Sequence, residues 1–179
     1  MTILIAKVYI QVKLFLPDSF PMSSTLANLD LSGTGLCASF NFRRTARAVT
    51  RLFDQAFQPF GIRSTQFSIL IALAKTQPSS ISQLAATLVT DRTTLTRSLG
   101  LMQKQGLLTI SPRSARRQRF LNLTAEGEKV LAQALPEWRK VQEHFVQTIG
   151  PEYWCKLQKE LETLSKVASN LDSSLPAQD

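Results

Sequence analysis

The chain has 179 residues, 44% of them hydrophobic and 19% charged, with a formal net charge of +8 at pH 7. That composition supports one ordinary globular core and excludes a chain that is disordered throughout. Two widely separated cysteines, Cys37 and Cys155, and a single His144 argue against a zinc site and a secreted disulfide framework, so a cytoplasmic protein with no metal and no cofactor is expected.

In the first sixteen residues Val8, Ile10, Val12, Leu14 and Leu16 alternate with Tyr9, Gln11, Lys13 and Phe15, which is strand periodicity. The run is too short to span a bilayer, Lys7 and Lys13 interrupt it, and no small-residue cleavage site follows. No membrane association is therefore expected. Met22 opens a more ordinary beginning, so residues 1–21 read as an upstream extension and 1–33 as poorly ordered.

From Leu36 to Phe57 the spacing predicts an amphipathic helix, within a dimerisation segment over 34–60. Phe42, Ala46, Val49, Phe53 and Ala56 form its apolar stripe, and Arg43, Arg47 and Arg51 a separate basic one. Pro59 and Gly61 end it. Ser64 is placed to cap the next helix, whose FSILIALA segment is apolar nearly all round and so should be buried. Pro78-Ser79-Ser80 reads as a turn capping a short helix with Ile81, Leu84, Ala85 and Leu88 inward. A second helix follows, capped by Thr90 or Asp91, and the pair makes a helix-turn-helix.

That second helix is the most informative element. Leu95, Leu99 and Met102 share one face, and Thr93, Arg97, Gly100 and Lys104 lie opposite it. Small, hydroxylated and basic residues on an outer face suit entry into a DNA major groove, where hydroxyls and Arg reach base edges and cations meet phosphates. The candidate contact residues on it are Arg92, Thr93, Thr94, Thr96, Arg97 and Lys104. Gly106 stops the helix. Strands over Leu107–Ile110 and Arg119–Leu123 then flank a loop carrying Arg113, Arg116 and Arg117, the remaining candidates.

A charged outer face is usually just a solvated one; the charge census shifts the balance. Residues 34–124 hold thirteen Lys and Arg against only Asp54 and Asp91, a net of +11, whereas 125–179 hold nine acids against six bases, a net of −3. Basic charge confined to one module is the footprint of a polyanion partner. The helix-turn-helix and its loop therefore form a DNA-binding region over 61–124.

Thr124-Ala-Glu-Gly127 starts a helix with Val130, Leu131 and Ala134 on one side, which Pro136 should kink or restart. Trp138, Val141, Phe145 and Val146 continue the apolar face. Pro151 suits the first turn of a last helix bearing Tyr153, Leu157, Leu161, Leu164 and Val167, with Cys155 read as a packing residue. These terminal helices carry more apolar face than one small domain covers, so 125–172 reads as a second dimerisation segment and 173–179 as a flexible tail. The fold class is mainly α with a small β-hairpin.

LAATLVTDRTTLTRSLGLMQKQGLL and RRQRFLNLTAEGEKVL give the chain its resemblance to the MarR (multiple antibiotic resistance regulator) family, from about Cys37 to Gly150. The resemblance implies a winged helix-turn-helix between terminal dimerisation helices, an obligate homodimer and double-stranded palindromic operator DNA as partner. It also implies a wing arginine in the minor groove, a role that falls to Arg117 and more weakly to Arg116. Leu123, Thr124 and Gly127 match the end of the family's wing; Ala115 stands where many members have an Asp that braces it.

Cys37, at the start of the first helix, resembles the reactive cysteine of the thiol-sensing branch. A helix N-terminus and the nearby Arg43 and Arg44 favour a thiolate there, but Asn41 and Phe42 replace the tyrosine environment of the best-known peroxide sensors. The expected function is a dimeric DNA-binding regulator, a repressor released by a small-molecule effector or by thiol oxidation. The competing readings are a winged helix that docks protein rather than DNA, and an accessory domain of an enzyme. Against the enzyme there is no phosphate-cradling loop and no nucleophile–base constellation.

Overall fold

The computed structural model describes residues 29–76, 79–111 and 119–174. The strand expected within the first sixteen residues, and the tail beyond Ser174, lie outside them. The chain divides into two compact units, Met1–Arg43 and Arg44–Asp179, which share the helix α1 (Ala38–Phe57). In the first unit Asp30 accepts the Ser32 amide at 2.8 Å, and a single 3-10 turn, Thr34–Leu36, leads to Cys37. The helix thus begins at Ala38 rather than Leu36, with Leu36 forming the end of the 3-10 turn.

The second unit holds the rest of α1, then α2 (Ser64–Thr76), β1 (Ser79–Ser80), α3 (Ile81–Thr87), α4 (Arg92–Lys104), β2 (Leu108–Ile110), β3 (Phe120–Leu123), α5 (Ala125–Ile149) and α6 (Pro151–Ser174). Its core is built on α2. Phe67, Ile69, Leu70, Ala72 and Leu73 are buried there, as its all-round apolar sequence predicts. The Phe57 ring stacks on Phe67 at 4.5 Å, and Phe67 in turn meets Trp138 of α5 at 6.3 Å. Phe57 is the buried residue of α1; one turn after Phe53, it lies on the edge of the predicted Phe42–Ala56 stripe.

Ser64 is not the cap of α2. Arg63 occupies that position, its amide donating to Gln66 Oε1 at 2.9 Å, while the Ser64 amide donates to Asp54 Oδ1 at 2.7 Å. A carboxylate from α1 thus satisfies the first turn of α2 and favours the positive end of its dipole. The segment before α3 also differs from expectation. Ser79 and Ser80 form a short strand, and the sheet is three-stranded and antiparallel in the order β1-β3-β2. Ser79 pairs with Leu121 and Ser80 with Phe120, while Leu108 pairs with Leu123. Ser80 caps α3 as predicted and completes a capping box with Gln83.

Pro136 does not restart α5, which runs unbroken for 25 residues. Its ring removes one hydrogen bond, but Val130 and Ala134 are buried and Trp138 packs on the core, which holds the helix through the defect. Gly150, with φ 96°, ends α5, and Pro151 opens α6 as predicted. Tyr153, Leu161, Leu164, Val167 and Leu171 of α6 are exposed in the single chain. Cys155 is exposed too, which corrects its reading as a packing residue; the packed side chain of that turn is Trp154, edge-on to Phe145 at 5.7 Å.

Candidate nucleic-acid interface

The face of α4 predicted to be inward is inward: Leu95 is 2% exposed, Leu99 and Met102 0%. A buried apolar stripe of that completeness fixes the helix's rotation about its own axis, and so fixes what it turns outward. Thr93, Arg97 and Lys104 are exposed on the other side, as are Arg92, Thr94 and Thr96, with Gly100 half-buried. From Thr93 to Lys104 that face runs about 16 Å, at roughly 1.5 Å per residue.

Asp91 caps α4, its carboxylate accepting the Thr94 amide at 2.7 Å. Hydrogen bonding from the Thr94 side chain and amide holds that carboxyl below the usual carboxylate range. Of the two predicted caps, then, Asp91 is used and Thr90 is not. Thr96 donates its hydroxyl to the Arg92 carbonyl at 2.7 Å, leaving it only acceptor capacity toward a ligand. Thr93, Arg92, Arg97 and Lys104 make no side-chain hydrogen bond or ion pair among the described residues. Asp91, whose carboxylate caps the helix, is the only acid between residues 79 and 111, so the neighbouring sequence supplies these cations with no other counter-charge.

The tight turn between α3 and α4 carries Val89 at φ 48°, a left-handed backbone on a β-branched residue that is 70% exposed. The Val89 and Thr90 amides donate to Ala86 and Ala85, closing the end of α3 so that α4 can set off in a new direction. At its far end α4 is held by Gln105, whose side chain accepts from Gln66 of α2 at 2.8 Å.

The hairpin of β2 and β3 leaves the core beside α4, and Ser111 binds Phe120 through both its amide and its hydroxyl, at 2.9 and 2.8 Å. Both strands are one residue shorter at the start than predicted. Arg113, Arg116, Arg117 and the Ala115 position lie outside the described residues. One exposed residue escaped the sequence reading, and another was read only as the start of a strand. Leu101 stands four residues after Arg97, on the edge of the outer face, and Arg119 precedes β3. Helical spacing from Arg97 could have flagged Leu101; an apolar side chain there gave no electrostatic reason to look.

Cys37 is exposed and occupies the position immediately before α1. Its carbonyl accepts from both the amide and the side chain of Asn41. The Arg43 guanidinium, expected near the thiol, donates instead to the Ser39 hydroxyl at 2.7 Å.

Residues 60–118, which contain the helix-turn-helix and the hairpin loop, match the family model described as MarR family. The transcriptional regulator HosA of Escherichia coli is 35% identical over 88 residues, 49% of this chain and 65% of HosA, so the matched part spans just under two thirds of that relative. The M. tuberculosis transcriptional regulator MosR, solved in complex with DNA, superposes with a TM-score of 0.70 at 34% identity, covering 75% of this chain and 98% of MosR. AbsC, a MarR family transcriptional regulator from Streptomyces coelicolor, shares the fold at a TM-score of 0.66 and 23% identity, over 79% of this chain and 99% of AbsC. The chain belongs to the MarR family of winged helix-turn-helix transcriptional regulators.

Proposed function

We propose that the chain is a homodimeric, sequence-specific DNA-binding repressor acting in the cytoplasm. It reads each half of a palindromic operator with α4 and anchors on the flanking DNA with its wing. The observation that carries this reading is the outer face of α4, where hydroxyls and unpaired cations lie opposite a fully buried apolar face. The similarity to a regulator solved on DNA supports it. Dimerisation is supported by the exposed apolar residues of α6 and by Phe40 and Phe42 of α1, which a second copy would cover. No helix among the described residues is long and apolar enough to cross a membrane, which is consistent with the proposed compartment.

In this reading Arg97 approaches bases or their flanking phosphates, with Thr93 and Thr94 beside it at the helix N-terminus. Arg92, Thr96 and Lys104 meet the backbone. Arg117, with Arg113 and Arg116, contacts phosphates or a narrow minor groove and reads charge and shape. Release by a small-molecule effector, or by oxidation of Cys37, would free the operator. The test is a salt titration of binding to operator and scrambled duplexes. Arg97→Ala should lose about 1–3 kcal/mol at the operator and narrow its advantage over random DNA. Arg117→Ala should weaken both duplexes and flatten log K against log salt by about two units per dimer. An unchanged salt slope for Arg117→Ala would remove the wing from the interface.

A further inference from the structure

The end of the reading helix α4 and the start of the long helix α5 meet through four residues, Gly106, Leu107, Thr124 and Gly127. Gly106, at φ 74°, turns the chain out of α4, and the Gly106 and Leu107 amides donate back to Gln103 and Met102, both at 3.0 Å. The carbonyls of the same two residues then face the start of α5. The Thr124 hydroxyl donates to the Gly106 carbonyl at 2.5 Å and accepts the Gly127 amide at 3.0 Å. The Thr124 amide donates to the Leu107 carbonyl at 3.2 Å. Gly127 closes the joint: a Cβ built there would lie 1.9 Å from the Leu107 oxygen, so only glycine lets α5 sit this close. The contact also places a carbonyl oxygen, the negative end of a peptide dipole, against the positive end of α5.

One hydroxyl thus bridges the last turn of one helix and the first turn of the other. The joint also stands at the open end of the β2–β3 hairpin, since Leu108, the next residue after Leu107, pairs with Leu123, the residue before Thr124. From it α5 runs 25 residues, a lever of about 37 Å.

We propose that Thr124 is a positioning residue whose hydroxyl couples the tilt of α4 to that of α5, and so sets the aim of the reading helix at the operator. This rests on the dimeric DNA-binding reading above. The bridge needs a side chain that both accepts from Gly127 and donates to Gly106. Serine does both. Aspartate is a competent N-cap acceptor but has no proton for the Gly106 carbonyl, so Thr124→Asp keeps the cap of α5 while it breaks the bridge and sets a negative charge against the Gly106 carbonyl. Thr124→Val removes cap and bridge together.

The experiment uses the full chain with Cys37 and Cys155 changed to Ser and a single spin label at Gln103→Cys, exposed on α4. The distance distribution between the two labels of the dimer is measured for parent, Thr124→Ser, Thr124→Asp and Thr124→Val, beside operator and random-duplex affinities. Thr124→Ser should match the parent. Thr124→Asp should retain a cooperative thermal transition yet broaden the distribution. Its operator-to-random affinity ratio should fall about three- to tenfold, the equivalent of one lost hydrogen bond. Taking the ratio removes the uniform effect of the added charge. Should Thr124→Val not fold, the Asp and Ser variants still decide the matter. A Thr124→Asp dimer with the parent's distribution and ratio would overturn the coupling while leaving the DNA-binding reading intact. A parent chain that sediments as a monomer would overturn both.

Discussion

Gly127 and Gly100 both lie inside helices, and the same substitution should act on them with opposite sign. At Gly127 an alanine Cβ would sit 1.9 Å from the Leu107 oxygen and 2.9 Å from its carbonyl carbon. Ordinary contact begins near 3.4 Å, so the start of α5 must retreat by about 1.5 Å, and the obstacle is backbone that cannot rotate away. A retreat of that size stretches the Thr124 bond to Gly106 from 2.5 Å to roughly 4 Å, beyond hydrogen-bonding range. Overpacking of about 1–3 kcal/mol and a lost hydrogen bond of about 1 kcal/mol are offset by no more than about 1 kcal/mol of helix propensity. The expected loss for Gly127→Ala is therefore about 1–4 kcal/mol, lowering the melting temperature by roughly 2–16 °C for a chain of this size. At Gly100 nothing lies within 4 Å of the added Cβ, so only the propensity gain remains and Gly100→Ala should stabilise by about 0.5–1 kcal/mol. Urea and thermal unfolding at one fixed protein concentration, without DNA, reads both, because dimer stability depends on concentration. A Gly127→Ala protein as stable as the parent would refute the close approach of α5 to Leu107.

The Asp91 cap should make part of the stability acid-sensitive. Its folded pKa lies below the ordinary value, so its contribution is complete above about pH 4 and is lost as pH falls through the lower folded value. Asp91→Asn keeps a capping oxygen without the titration, and the parent's advantage over it, followed by urea unfolding from pH 6 downward, should shrink only below that point; a difference flat with pH would exclude the cap as the source. Ending the chain before Pro151 removes α6 with its exposed Tyr153, Leu161, Leu164 and Val167, and sedimentation should then show monomers and loss of tight operator binding. A truncated protein that stays dimeric would place the interface elsewhere. Mild peroxide should weaken operator binding of the parent and leave Cys37→Ser bound, and equal responses would leave the small-molecule effector as the route of release.

The parts of this protein that its sequence determined by itself are those governed by local periodicity and local charge. Leu95, Leu99 and Met102 recur at helical spacing, so the buried side of α4, and with it the outward Thr93, Arg97 and Lys104, were readable without any partner element. Capping chemistry is equally local, which is why Ser80, Asp91, Thr124 and Pro151 were all recognisable at helix starts. What the tertiary structure decided is wherever the partner is distant in sequence. Ser79 and Ser80 carry no strand pattern of their own and become a strand only because Leu121 and Phe120 lie alongside. Asp54 displaced Ser64 at the start of α2 because α1 delivers a full carboxylate to the Ser64 amide. Pro136 failed to break α5 because Val130, Ala134 and Trp138 bury against the core on either side of it. Gly127 matched a motif in the sequence, but its reason, a carbonyl from the end of the reading helix where a methyl would stand, exists only once the two helices have met.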